Sequence, residues 1–333
     1  MEPVMSVIDD SHRTVTGTTA PEPPPSARSP RGRRANRAAE PKTRGVISTA
    51  DRKRTSVRVW LSTVHTLLLI LLIIACLGPL LWSAKASVTD SQDIVSDPMG
   101  IWFAPNEWGN LLLAWNGAEI GRSLGNTVII AVGSTLATLV VSISAAFLLS
   151  VLRPKWGPWL TGAILATLFL PGVVSLVPLY LTVLDMPLIH ISLQDTFWAV
   201  WLPSAASAFN VIVLKRFFDS IPREYLEAAT IDGAGPLRLL WMVVLPLSRP
   251  IIGVVALLSV VGAWKEFLWP MLVLSNPSLQ PVSVMLPKLA AGTSPLSVQM
   301  AAVFLTIIIP VVLFLVFQKQ FLRGVGTAGG IKG

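Results

Sequence analysis

Six stretches of this chain are apolar over a length that crosses a lipid bilayer, and no other feature limits its fold as strongly. A crossing helix needs about 20 mostly apolar residues, at ~1.5 Å each, to span a hydrocarbon core of ~30 Å. The clearest stretch covers about 60–82 and contains Leu67-Leu68-Leu69-Ile70-Leu71-Leu72-Ile73-Ile74. The others fall at about 123–152, 160–184, 196–214, 250–274 and 298–317. Composition agrees: of 333 residues, 53% are hydrophobic and only 13% charged, which is too apolar for an ordinary soluble domain. Inside a bilayer no water satisfies the backbone, so segments of this kind span as helices. The expected fold is an all-α integral membrane protein with six transmembrane helices.

Charge then orients the spans, because cytoplasmic segments carry the excess of Lys and Arg. Twelve of the 26 basic residues precede Trp60. With that end inside, the inner segments also hold Arg153, Lys155, Lys215, Arg216, Arg223, Arg238, Arg249, Lys319, Arg323 and Lys332. The outer segments hold only Lys85, Arg122 and Lys288. Both termini and the loop around Glu227 are therefore expected in the cytoplasm. The net charge of +8 describes the leading tail, so nucleic-acid binding is excluded as its meaning.

Residues 1–58 read as a disordered basic tail preceding a membrane domain at 59–333. Pro21-Glu22-Pro23-Pro24-Pro25 and Arg31-Gly32-Arg33-Arg34 lack the apolar side chains that offset ordering entropy. Arg33-Arg34 is not an export signal, since the apolar run begins more than twenty residues later and is too long for one. Two readings of the tail stand: contact with an anionic inner leaflet, and a solvated segment that fixes orientation. The longest outer loop, 83–122, carries Trp102, Phe103, Trp108 and Trp115. It suits a helix in the headgroup layer or a contact surface for an outer partner. Pro171-Gly172 and Pro178 predict kinks in the third span.

Between the fourth and fifth spans lies Glu227-Ala228-Ala229-Thr230-Ile231-Asp232-Gly233-Ala234, followed by Leu245-Pro246. Ser220 is expected to cap a helix over 221–232 whose first turn holds Pro222 and Glu224. Gly233 ends it, being free to take the left-handed cap conformation. A second helix starts at Pro236 and ends near Leu245-Pro246. Ala228 and Ala229 let another surface approach the backbone closely, and Glu227 offers it a charge. An amphipathic loop helix at the membrane edge is the plainer reading of the same residues.

The run E-A-A-x-x-D-G-A, then L-P, resembles the EAA signature of inner-membrane permease subunits of ABC importers. More narrowly, the chain resembles the smaller permease of maltose-type carbohydrate importers over about residues 60–333. Asn126-Thr127 near the start of the second span, Pro171 and Pro178-Leu179-Tyr180, Trp264-Lys265-Glu266-Phe267-Leu268-Trp269-Pro270 and the terminal Gly329-Gly330-Ile331-Lys332-Gly333 carry the resemblance further. It implies a bacterial inner-membrane, multi-pass subunit forming half of a sugar pathway with a second permease. It also implies two copies of a partner ATPase in the cytoplasm and an extracytoplasmic solute-binding protein or lipoprotein. On that resemblance Glu227 pairs with a basic ATPase residue, Ala228 and Ala229 permit close packing, Asp232, Leu245 and Pro246 belong to the same coupling loop, and Lys332 and Gly333 run along the ATPase pair. Asn126 and Lys265 become candidates for lining the pathway. Lys265 departs from the family's usual Asn. It either faces the outer pathway or extends its ammonium to the outer headgroups.

No phosphate-binding loop is present, because the Gly-rich end at 324–332 lacks the Gly-Lys-Ser/Thr terminus. ATP is thus expected on a partner, and no cofactor of the chain's own is expected. His12, His65 and His190 are scattered and give no metal-ligand spacing, and Cys76 is a lone cysteine in an apolar run. An ion-driven secondary transporter would place ionisable residues at mid-depth, which the first four spans and the sixth lack. A membrane enzyme would want clustered carboxylates or histidines at one face, and the chain offers none.

Overall fold

The computed structural model describes residues 55–98, 100, 107–187 and 189–328. The expected tail lies almost wholly outside them, as do Trp102, Phe103, Lys332 and Gly333. Two units are distinguished, residues 1–66 and 67–333, and every packed core considered below belongs to the second. Among the described residues the regular structure is helical throughout.

The first helices are α1 (Thr55–Ala86), the short α2 (Ser91–Ser96) and α3 (Gly109–Leu112), and the long α4 (Ile120–Phe147). A π-helical turn, Leu148–Leu152, extends α4. Both α1 and α4 are long and apolar enough to cross a membrane, but their surroundings differ: none of the most apolar window of α1 is buried, against 39% of that of α4. Side chains of α1 such as Leu67, Leu71 and Ile74 are exposed on all sides, as a helix facing lipid requires.

Helix α4 is the axis of packing. Its buried positions include small or polar residues, among them Ala131, Ser134, Thr135, Thr138, Ser142 and Ala146. Lipid tails are as apolar as Leu, so helices in a membrane associate through close contact at such small residues. Gly133 shows how close: a Cβ there would lie 2.1 Å from Cε2 of Trp201, whose indole occupies that space. Three apolar cores line α4 from end to end, around Ile120 and Leu124, around Ile130, and around Ala146 and Phe147.

The third span is broken rather than kinked. α5 (Gly157–Thr167) and α6 (Gly172–Leu184) meet at 104°. Pro171 lacks the N–H that would bond Thr167 and excludes Leu170 from helical geometry. The chain closes α5 with three tight turns instead, at Leu168, Phe169 and Leu170. α7 (Trp198–Ala205) and α8 (Ala208–Asp219) are bent by 45°. α9 (Arg223–Ile231), α10 (Pro236–Leu239) and α11 (Leu245–Leu247) follow, the last two joined by a π-helical turn at Leu240–Val244. That turn has a cause in the sequence: Pro246 cannot donate to Met242, and Leu245 N–H reaches back to the Leu240 carbonyl.

The fifth span also departs from a single helix. α12 (Arg249–Lys265) stops at Glu266, whose extended backbone leads into α13 (Leu268–Val273). The Glu266 carbonyl, left without a helical donor, accepts the Ser283 hydroxyl at 2.7 Å. α14 (Val282–Ala291) and α15 (Leu296–Ala328) complete the described chain. Lys265 is therefore an exposed helix-end cation, where its charge complements the helix dipole, and not a mid-helix residue.

Candidate functional site

The conspicuous polar segment is built from the end of α8 outward. Asp219, the last residue of α8, accepts Lys215 Nζ at 2.7 Å and the Ser150 hydroxyl at 2.7 Å, with Arg153 at 3.6 Å. Arg153 Nε in turn donates to the Ser150 carbonyl at 2.7 Å. This cluster clasps the end of α8 to the end of the α4 unit. Lys215 and Asp219 stand at i,i+4, a spacing that the sequence displays and the motif-based reading passed over.

Ser220 does not cap the next helix, contrary to the sequence expectation. It is the C-cap of α8, and its hydroxyl donates to the Phe217 carbonyl at 2.6 Å. Pro222 explains the difference: the residue before a proline is pushed out of helical geometry, so α9 begins only at Arg223. Glu224 sits in the first turn, against the positive helix end.

Gly233 behaves as the sequence predicts. Its φ is +80°, its N–H bonds the Thr230 carbonyl at 3.0 Å, and the Ala234 N–H bonds the Ala229 carbonyl at 2.9 Å. These paired bonds define a Schellman stop. No atom lies within 4 Å of where a Gly233 Cβ would stand, so backbone conformation and not crowding selects glycine. Asp232 is the C-cap. A carboxylate there opposes the helix dipole, so Asp232 does not serve the stability of α9.

Helix α9 has two faces. Leu226 and Ala229 pack on the core that includes Phe147, Leu214, Phe218 and Val244. Glu224, Glu227, Ala228 and Ile231 share the opposite face by i,i+3 and i,i+4 spacing, and all are exposed. Ile231 is 85% exposed and Tyr225 58%, large apolar groups on a short helix of otherwise polar surface, and Leu237 of α10 is 73% exposed. Arg223, Glu227, Thr230 and Ile231 also border a cavity of about 620 Å³. The sequence reading allowed an amphipathic helix but set Ala229 beside Ala228 as a contact for another surface; Ala229 packs instead on the core, an offset that its one-residue step from Ala228 signals. Leu245 packs half-buried on the same core, and Pro246 is exposed.

Asn126 and Lys265 are not brought together. Asn126 is buried, and its Nδ2 donates to the Ser278 carbonyl at 2.8 Å and the Gln280 carbonyl at 3.1 Å. Thr127 Oγ1 accepts the Val282 N–H at 2.9 Å. The Asn-Thr pair thus docks the loop before α14 onto α4. Lys265 makes no hydrogen bond or ion pair among the described residues.

Residues 138–325 match the family model described as binding-protein-dependent transport system inner membrane component. The sn-glycerol-3-phosphate transport system permease protein UgpE of Yersinia pestis bv. Antiqua (strain Antiqua) is 31% identical over 268 residues, covering 78% of this chain and 93% of that protein. The protein of the same name from Escherichia coli O1:K1 / APEC is 30% identical over 276 residues, 80% and 96% of the two chains. In fold, the chain is similar to one in the crystal structure of a bacterial ABC transporter involved in the import of the acidic polysaccharide alginate. That match has a TM-score of 0.70 at 23% identity, over 80% of this chain and 98% of the other. The chain belongs to the family of binding-protein-dependent transport system inner-membrane components. It is a multi-pass permease subunit of a bacterial ABC transport system, and not an enzyme.

Proposed function

We propose that this subunit forms half of the translocation pathway of an ATP-driven carbohydrate importer, and that α9 is the handle by which a partner ATPase moves it. The observation that carries the reading is the two-sidedness of α9. Leu226 and Ala229 fix the helix to the core shared by α4, α8 and α12, while Glu227, Ala228 and Ile231 face outward with Tyr225 beside them. A partner seated on that outer face would push directly on the packed helices. Asp232 at the dipole-opposed end and the stop at Gly233 belong to the same handle, and Leu245-Pro246 anchors its return to the membrane. Lys332 and Gly333, which lie outside the described residues, are assigned to the same ATPase contact by the family resemblance alone.

We read the chain as six crossings: α1 and the extended α4 singly, α5 with α6, α7 with α8, and α10–α11 with α12 (bent by 82°) as one each, and α15, which is apolar over Leu296–Val312. The charge asymmetry favours both termini and α9 in the cytoplasm, with the tail 1–58 on that side. A second permease completes the pathway, two ATPase copies serve the pair, lipid surrounds it, and a solute-binding protein delivers cargo from outside. The polyhydroxylated cargoes in the names of similar proteins support a carbohydrate substrate. The test is to purify the chain with its co-expressed cognate ATPase and second permease, then measure ATP hydrolysis with and without the binding protein. Co-purification and stimulated hydrolysis are expected. Failure of the ATPase to associate would remove the reading.

A further inference from the structure

An open cavity of about 470 Å³ lies between the packed helices, bordered by Ser134 and Thr138 of α4, Asn210 of α8, Ser259 of α12, and Glu266 and Trp269 at the break between α12 and α13. Its volume falls in the range of small-molecule sites, ~300–1,000 Å³. Both interrupted helices turn their breaks toward it: Ser204 and Ser207 flank the α7–α8 bend and line it, as does Glu266. Interrupted backbone at a cavity is how membrane transporters place polar groups among helices.

Ser134 is the informative member. It is only 3% exposed, yet its hydroxyl has no hydrogen-bond partner among the described residues. Thr127 and Thr306 bond back one turn, to Ser123 at 2.7 Å and Ala302 at 2.8 Å; Ser134, Thr135, Ser142, Ser248 and Trp201 Nε1 are the buried groups without a partner among the described residues, and of these Ser134 alone borders the cavity. A buried orphan hydroxyl bordering a cavity calls for a partner from outside the chain. Of the two aromatic lining residues, Phe209 and Trp269, the indole is tied in place by a hydrogen bond. Pro203 has no N–H for the Ala199 carbonyl, and Trp269 Nε1 donates to that carbonyl at 2.9 Å. A fixed indole gives a flat apolar surface for the C–H face of a sugar ring.

Charge narrows the ligand further. Glu266 is the one ionisable side chain among the lining residues, and no Lys or Arg accompanies it. One of its carboxylate oxygens accepts the Trp269 N–H at 3.2 Å, leaving acceptor capacity for hydroxyl donors. A phosphate or uronate here would meet a like charge with no cation among the lining residues to offset it; Lys265, next in the chain, is not one of them.

We propose that this cavity is a cargo subsite contributed by this subunit, selective for an uncharged polyhydroxylated ligand, with Glu266 as the residue that rejects anions. The proposal rests on the reading of the chain as an importer permease. It sets the cargo apart in charge from the sn-glycerol-3-phosphate and acidic alginate named for similar proteins.

The test uses the assembled importer with Cys76→Ser and Ser259→Cys, so that the one thiol of this chain reports on the cavity, read on this subunit after the chains are separated. Its rates of modification by a cationic and an anionic methanethiosulfonate are compared with those of a free thiol in solution. We expect the cation to be favoured by about tenfold beyond the solution ratio, the scale of one nearby unit charge at intermediate dielectric. Glu266→Gln should bring that ratio back to the solution value. Maltose at tens of millimolar should slow modification, and sn-glycerol-3-phosphate should not. Ser134→Ala, which loses no hydrogen bond within the chain, should weaken the maltose protection several-fold. Absence of labelling by either reagent, a ratio unmoved by Glu266→Gln, or equal protection by both solutes would each overturn the proposal. If these fail while the complex still hydrolyses ATP in response to binding protein, the importer reading stands and the subsite falls. If no ATPase associates, the importer reading falls first.

Discussion

The chain interrupts its helices in two different ways. At Gly233 the stop is local: a glycine at positive φ, two paired backbone bonds, open space around the Cα and solvent on one face. At Glu266 and at Ala206–Ser207 the stops are held from a distance. Ser283 meets the Glu266 carbonyl, Thr138 meets the Ser204 carbonyl at 2.9 Å, and Trp269 meets the Ala199 carbonyl that Pro203 leaves bare. The first kind makes a self-sufficient knob. The second makes a cavity that exists only when several helices are assembled. A permease driven from outside needs both, a stiff handle and an interior that rearranges, and the difference in how their breaks are secured matches that division.

The contrast can be broken from either side. The largest effect is expected at the handle. Glu227→Lys reverses the exposed charge, and Gly233→Val forces a β-branched residue to φ +80°. Either should lower uptake and binding-protein-stimulated ATP hydrolysis by tenfold or more, with membrane insertion and yield unchanged; normal uptake in both would separate α9 from coupling. Next comes the interior lock. Trp269→Phe leaves the Ala199 carbonyl unpaired, at a cost of about 1–3 kcal/mol. Pro203→Ala restores a donor, so the double variant should recover part of the loss in thermal stability. Simple additivity of the two would show that the indole does not replace the missing N–H.

A comparable effect is expected for Asn126→Ala, which removes two hydrogen bonds to the loop before α14 and costs about 1–2 kcal/mol. It should lower the melting temperature and expose that loop to protease without altering ATPase binding. The smallest effect belongs to the clasp at Asp219. Its ion pairs with Lys215 and Arg153 are partly exposed, so Asp219→Asn should change stability by ~1 kcal/mol or less, and the difference should shrink at high salt.

These features were legible in the sequence to unequal degrees, for a physical reason. The helix at α9, its glycine stop and the second helix from Pro236 follow from residues adjacent in the chain, so local rules found them. The one local error, Ser220 as N-cap, came from weighing its hydroxyl above the restriction that Pro222 places on Ile221. The apolar stretches marked the membrane helices, but hydropathy does not encode bends. Prolines announced a disturbance in the third span without its 104° size, which also depends on the turns at 168–170. The break at Glu266 and the cavity beside it were not readable. Their determinants join residues far apart in sequence, Trp269 to Ala199 and Ser283 to Glu266, and an orphan hydroxyl such as Ser134 shows only once its neighbours are in place.

The most direct measurement of the central claim places a photo-crosslinking amino acid on the outer face of α9 in the assembled importer, at position 228, where the side chain is small and exposed. The same residue at position 140 of α4, also exposed but in a membrane helix, is the comparison. A covalent adduct with the ATPase from position 228, and none from 140, is the predicted result. No adduct from position 228 in a complex that hydrolyses ATP would contradict the assignment of α9 as the handle.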